Sequence, residues 1–110
     1  MKKNEQIEIN AYVKNTVNDI NALLRTSYAP IKWHQLYRCS ADTCSVGDWL
    51  LLKSYSTIVA AYNVNTGEMF DFLRLVYGYT STSAQHIAKF RKFCRDINLE
   101  CSAMYRWYEV

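Results

Sequence analysis

The stretch that decides the fold runs from Thr57 to Arg74 and reads TIVAAYNVNTGEMFDFLR. Residues Thr57 to Tyr62 present apolar side chains to both faces, which is typical of a central strand covered on both sides. Asn65 and Gly67 suit a tight turn, because glycine reaches the left-handed conformation at little steric cost. The chain then returns from Met69. The sequence therefore predicts an antiparallel hairpin at the centre of a sheet.

Further strands are predicted on both sides of this hairpin. The short apolar run Trp49 to Leu52 reads as a strand, and Leu75 to Tyr79 is expected to continue the returning strand through a bend or bulge at Gly78. Residues 101–108 alternate, with Cys101, Ala103, Tyr105 and Trp107 on one side and Ser102, Met104, Arg106 and Tyr108 on the other. That period of two predicts a C-terminal strand added to the same sheet.

The segment from Ile31 to Gly47 has the weakest pattern. Ile31 to Arg38 fits either a short strand or an ordered loop. Ser40 to Thr43 and Ser45 to Asp48 have turn composition, so we predict turns there.

Residues 4–27 are predicted to form a helix. Ile9, Val13, Val17, Ile20 and Leu24 recur at intervals of four, four, three and four, which places them on one packing face. Dimerisation through this face is the alternative use of such a stripe. The expected solvent face consists of Asn10, Lys14, Asn15, Asn18, Asp19 and Asn21.

A second helix follows the hairpin region. Thr82 at the N-cap with Gln85 three residues later forms a capping box, and Ser81 or Ser83 takes the cap if the start shifts by one residue. The face expected to pack on the sheet consists of Ser83, Ile87, Phe90, Cys94 and Ile97. Lys89, Lys92 and Asp96 point away from that face, while Arg91 and Arg95 form a second flank. The outer surface of the helix is therefore expected to be basic, with Lys89, Arg91, Lys92 and Arg95.

These elements predict one α+β domain spanning residues 1–110. Its parts are an N-terminal helix, an antiparallel sheet of three to four strands around the central hairpin, a second helix packed on that sheet, and a C-terminal strand. With 110 residues, half of them apolar, the chain can bury a sizeable core.

Composition and motifs argue against an enzyme. His34 and His86 stand in no recognisable motif, and the three glycines are isolated rather than gathered in a phosphate loop. The cysteine spacings, Cys39-x4-Cys44 and Cys94-x6-Cys101, do not fit zinc knuckles, so reduced thiols without a metal or cofactor are expected. A leader or membrane span is not predicted, and the expected location is the cytoplasm.

The net charge of +3 and the nine tyrosines favour a binding function. The basic helix residues suit phosphates, with exposed tyrosines stacking on bases, and they equally suit the acidic groove of a partner protein. Hydroxyl residues at the helix start act either as caps or as an anion site near His86. The candidate partner-binding residues are Lys89, Arg91, Lys92, Arg95, His86 and Tyr79.

Two segments carry a resemblance to a known family. Ser54 to Ala60, followed by the hairpin and then Tyr79 to Phe90, resembles small proteins encoded by bacteriophages and mobile elements of Gram-positive hosts. The Ser/Thr-rich turn and the His-Ile-x-x-Phe helix start recur in that family, and both are intact here. The likeness covers the middle third to half of the chain, while Ile31 to Gly47 and Cys101 to Val110 do not match.

The resemblance implies a phage protein that acts in the cytoplasm of the bacterial host. By analogy with phage proteins of similar size and composition, it implies an inhibitor of a host defence nuclease. The leading case is an anti-CRISPR protein that binds a Cas nuclease or its guide complex, either alone or as a homodimer. The alternative is a small phage protein that binds nucleic acid.

Overall fold

The predicted N-terminal helix and central hairpin are both present in a computed structural model, which describes residues 3–27, 30–76 and 80–109. The helices are α1 (Lys3–Thr26), α2 (Leu73–Val76) and α3 (Ser81–Asp96). The strands are β1 (His34–Gln35), β2 (Ala41–Val46), β3 (Trp49–Ser54), β4 (Thr57–Asn63), β5 (Glu68–Asp71) and β6 (Ala103–Arg106). The α+β class is therefore confirmed.

The six strands form one sheet in the order β1-β2-β3-β4-β5-β6. Every neighbouring pair is antiparallel except β5 and β6, which are parallel. The sheet is thus larger than the three to four strands predicted. A parallel pair needs a crossover connection rather than a hairpin, and here the connection between β5 and β6 contains α2 and α3.

The hairpin turn between β4 and β5 follows the sequence prediction. The side chain of Asn63 accepts hydrogen bonds from the backbone N–H groups of Asn65 and Thr66 at 2.9 and 3.1 Å. Gly67 has a φ of +76°, and a Cβ there would approach Ser102 Oγ to 3.0 Å. Glycine is therefore required both for the left-handed backbone and for close contact with the segment before β6.

A helix covers each face of the sheet. On one face, α1 contributes Val13, Val17 and Ile20 to a buried cluster that also contains Cys44, Leu51, Ala61, Phe70 and Phe72. On the other face, α3 contributes Ile87, Phe90 and Cys94 to a cluster that also contains Leu36, Ala41, Leu50, Leu52, Val59, Ala60, Tyr62, Met69 and Leu73. The predicted packing stripes of both helices are confirmed at these positions.

The segment before β3 was predicted wrongly in part. Ala41–Val46 is a strand rather than a pair of turns, and it pairs with β3 along its whole length, from Ala41 opposite Ser54 to Val46 opposite Trp49. The polar residues of β2 gave it a turn-like composition. Pairing with the strongly apolar β3 stabilises an extended conformation that local propensity did not indicate.

The returning strand was predicted over Met69 to Arg74 with a continuation from Leu75, and this is wrong from Leu73 onward, because β5 ends at Asp71 and Leu73–Val76 form α2. The chain turns into α2 after β5, and Asp71 Oδ1 accepts a hydrogen bond from the Leu73 N–H at 3.0 Å at the start of that helix. An aspartate before a helix satisfies a backbone donor that the helix itself cannot. The rest of the predicted strand, residues 77–79, lies outside the described residues.

The start and the end of α3 differ slightly from the prediction. Thr80 is the N-cap, and its hydroxyl accepts a hydrogen bond from the Ser83 N–H at 3.2 Å, so the capping box of Thr82 and Gln85 was wrong. Ser83 is consequently free to face inward, where it is fully buried. Ile97 follows the helix and is 46% exposed, so it does not belong to the packing face.

Replacing Phe90 with alanine tests the role of α3 in the core. Phe90 is fully buried against the sheet, so Phe90→Ala should lower the free energy of unfolding in urea by about 3–5 kcal/mol. Ile97→Ala is the matched control at an exposed position, where a loss under about 1 kcal/mol is expected. A loss that small for Phe90→Ala would contradict the packing described.

Candidate functional site

The four predicted basic residues of α3 are exposed and lie away from its packing face. We call Lys89, Arg91, Lys92 and Arg95 the basic face. Among the described residues, Lys92 is the only one of the four in an ion pair. Lys89, Arg91 and Arg95 thus present cationic groups to solvent, while the helix carrying them is held by its buried side.

Lys92 is engaged within the protein. Its Nζ lies 2.9 Å from Asp96 Oδ2, and the Tyr37 hydroxyl donates a hydrogen bond to the same oxygen at 2.8 Å. The hydrogen bond from Lys92 lowers the pKa of the Asp96 carboxyl, and that carboxylate in turn raises the pKa of Lys92. Local pairing therefore offsets the charge of Lys92, which contributes less to the basic face than the other three residues.

His86 does not belong to the exposed surface. Its side chain is 4% exposed, and Nδ1 lies 2.8 Å from Ser54 Oγ, which in turn lies 3.2 Å from Ser83 Oγ. Ser54 and Ser83 are fully buried, so this is an internal polar contact between β3 and α3. Its role is to join these elements. The other candidate near the helix start, Tyr79, lies outside the described residues.

His86 should make the protein less stable in mild acid. Burial, assisted by the charge of Lys89, lowers the pKa of His86 below its usual value. Below a pH of about 6.5 the unfolded chain binds the proton and the folded chain does not, so the free energy of unfolding falls as the pH decreases. The free energy of unfolding stops falling once the pH is below the pKa of His86 in the folded protein. The uptake of one proton can change the free energy of unfolding by at most about 1.4 kcal/mol per pH unit.

This expectation is checked by urea unfolding between pH 7.5 and 5.5. His86→Gln should show a shallower pH dependence than the natural protein, whereas His34→Gln, at an exposed position in β1, should keep it. Equal pH slopes for the His86→Gln variant and the natural protein would contradict a neutral, buried His86.

Two cavities meet at Arg91, beside α3. The first, about 230 Å³, is lined by Asp71, Leu73, Arg74, Ala84, Ile87, Ala88, Arg91, Arg106, Trp107 and Tyr108. The second, about 560 Å³, is lined by Tyr62, Met69, Arg91, Cys94, Arg95, Asn98, Leu99, Glu100 and Cys101. Residues of α3 thus form one side of both cavities, while β5, β6 and the segments next to them contribute to the other side.

Three arginines gather around one carboxylate in the first cavity, and we call Arg74, Arg91, Arg106 and Asp71 the arginine pocket. Arg106 Nε lies 3.7 Å from Asp71 Oδ2. Burial raises the pKa of the Asp71 carboxyl, while the hydrogen bond from Leu73 and the three arginines act in the opposite direction. The arginine pocket therefore combines a partly buried acid with an excess of positive charge.

The sequence did not single out Arg74, Arg106 or Asp71 as site residues. The alternation of residues 101–108 placed Arg106 and Tyr108 on one side of a strand, and Met104 on that side does pack against the α3-side cluster. The pattern could not show which strand lies next to β6. Parallel pairing opposes Arg106 to Asp71 and thereby assembles the pocket.

The C-terminal segment that borders the pocket is held by α1. Asn10 donates to the Tyr108 carbonyl at 2.6 Å and accepts from the Tyr108 N–H at 3.2 Å. Gln6 donates to the Arg106 carbonyl at 3.1 Å and to Asn10 Oδ1 at 2.7 Å. Asn10 was predicted on the solvent face of the helix, which is wrong, because it is 6% exposed and bonds to this distant segment.

Removing the Asn10 amide should loosen this segment. Asn10→Ala leaves both backbone groups of Tyr108 without their partner, so we expect a loss of about 1–3 kcal/mol in the free energy of unfolding. Hydrogen exchange of the Tyr108 amide should also accelerate. Asn15→Ala, at an exposed position of α1, is the control and should change neither measurement. Unchanged exchange at Tyr108 in Asn10→Ala would contradict the tether.

The described residues show neither a metal centre nor a membrane helix. Within residues 3–27, 30–76 and 80–109, no three His, Cys, Asp or Glu side chains are grouped so that they could hold a metal ion. All four cysteines are free, and burial raises the pKa of the Cys94 thiol to about 12. None of the helices in these ranges has the length and apolar composition needed to cross a bilayer.

Comparison with known proteins yields no match: neither a family model, nor a curated protein, nor a solved structure is significantly similar to this chain.

Proposed function

We propose that the protein is a phage-encoded, anti-CRISPR-like inhibitor of a host defence nuclease. It acts by stoichiometric binding through basic and aromatic surface residues, in the cytoplasm of the bacterial host. The observation that carries the proposal is the basic face, on which Lys89, Arg91 and Arg95 are exposed and, among the described residues, outside any ion pair. The partner is a Cas nuclease or its guide complex.

Charge complementarity supports a partner of this kind. A guide complex presents the phosphates of its nucleic acid, and a protein partner with an acidic groove presents carboxylates, and both attract a cationic surface. Complementary charges accelerate association and select the partner more than they add to affinity. Exposed aromatic residues supply contact area around the charges: Tyr37, next to Lys92, and Tyr55 are 43% and 57% exposed.

The test measures cleavage by purified host defence complexes in the presence of the protein. Inhibition should be complete near one molecule per binding site, and Arg91→Ala combined with Arg95→Ala should weaken inhibition by at least about tenfold. The matched control, Lys14→Ala combined with Arg25→Ala, removes the same charge from the exposed side of α1 and should leave inhibition unchanged. No complex formation and undiminished cleavage would reject each target tried.

A nucleic-acid-binding function is the second candidate, and one observation favours it. Arg74, Arg91 and Arg106 line the same cavity as Trp107 and Tyr108, which combines phosphate-binding groups with flat aromatic groups. A gel-shift assay with free nucleic acid decides between the two functions. Gel-shift binding to free nucleic acid that weakens steeply with salt, without retention of a nuclease complex, would favour this second function.

A further inference from the structure

We infer that the arginine pocket is a binding site for a phosphate monoester carried by a nucleotide. The site is built by three separate parts of the chain, since Arg74 comes from α2, Arg91 from α3 and Arg106 from β6. Guanidinium groups present paired donors that match the oxygens of phosphate. Because three guanidinium groups converge on one small cavity, this cavity can bind phosphate.

Arg106 has an unused donor in this cavity. Its Nε is buried and has no hydrogen-bond partner among the described residues. The nearest carboxylate oxygen, Asp71 Oδ2, lies 3.7 Å away, beyond hydrogen-bond distance. Buried donors in folded proteins are nearly always paired, so this Nε is a donor that an acceptor entering the pocket can use.

The charge of the pocket favours a dianion over a monoanion. Three guanidinium groups face the single carboxylate of Asp71, which leaves a net charge of about +2 when that carboxyl is ionised. A phosphate monoester carries roughly −1.5 to −2 at neutral pH. A carboxylate or a phosphodiester carries a single negative charge and matches the formal charge of this lining less closely.

The size and walls of the cavity favour a nucleotide. Its volume of about 230 Å³ lies below the roughly 300–1,000 Å³ of pockets that enclose whole drug-sized ligands. The cavity therefore suits a phosphate with the sugar next to it, while the rest of the ligand extends outward. Trp107 and Tyr108 lie at the wall, and Tyr108 is 40% exposed although the Arg74 guanidinium lies over its ring, 5.7 Å from the centroid. An aromatic group that is open to solvent thus adjoins the phosphate-binding groups.

This inference does not rest on the proposed inhibition. Arg74 and Arg106 lie outside the basic face, so loss of nucleotide binding through them can be measured while inhibition persists. Conversely, nucleotide binding can hold even if no nuclease is inhibited.

The experiment is calorimetric titration of the full chain with adenosine 5′-monophosphate and with adenosine. The monophosphate should bind at least about tenfold more tightly than adenosine, and Arg106→Gln should weaken its binding by at least about tenfold. Asp71→Asn should strengthen binding, because the competing negative charge is lost while an oxygen acceptor for the Leu73 N–H is kept.

Arg25→Gln is the charge-matched control, located at the far end of α1 from Asn10, about 22 Å along the helix. It should bind the monophosphate as the natural protein does. Arg74→Gln provides a second test if thermal melting shows that Arg106→Gln is unfolded. Equal binding of adenosine and its monophosphate, or equal effects of Arg106→Gln and Arg25→Gln, would overturn the site. Tighter binding of a phosphoserine peptide than of the monophosphate would overturn the nucleotide assignment.

Discussion

The structure depends on the burial of β4 on both of its faces. Val59, Ala60 and Ala61 are fully buried, and Ala60 and Ala61 face opposite sides of the sheet. A strand of this kind is stable only if a layer of apolar side chains covers each side. The helices α1 and α3 supply these layers. Because α3 must reach the face opposite α1, the chain leaves the sheet after β5 and returns as the parallel strand β6.

The position of α3 determines where the candidate surfaces lie. The helix lies mainly on β3 and β4, and its flank lies beside β5 and β6. Arg91 lies on that flank and contributes to both cavities. The opposite side of the cavities depends on the other layer, since Asn10 and Gln6 of α1 bind the backbone of Arg106 and Tyr108. The pocket is therefore shaped by α1 as well, although its lining comes from α2, α3, β5, β6 and the residues after β6.

Local patterns were sufficient for the elements whose own periodicity is strong. The stripe of α1, the hairpin at Gly67 and the buried side of α3 at Phe90 were all predicted from the sequence. Several of the errors occur where a distant partner decides the conformation. Asn10 is polar and was therefore predicted on the solvent face of α1. It is instead hydrogen-bonded to Tyr108, 98 residues further along the chain. The pocket around Arg106 was missed for the same reason: the local sequences of β5 and β6 do not show that these two strands pair.

Asp71 explains why three arginines can share one small cavity. Its carboxylate reduces their mutual repulsion, and its other oxygen is used by the Leu73 N–H. A carboxylate that served Arg106 only as a structural partner would approach to about 2.7–2.9 Å, the distance of a charge-assisted hydrogen bond. The observed 3.7 Å is too long for that bond and leaves Arg106 Nε available. Asp71 thus reduces the repulsion among the arginines while Arg106 Nε stays without an acceptor, so an anion that enters the pocket finds a donor there.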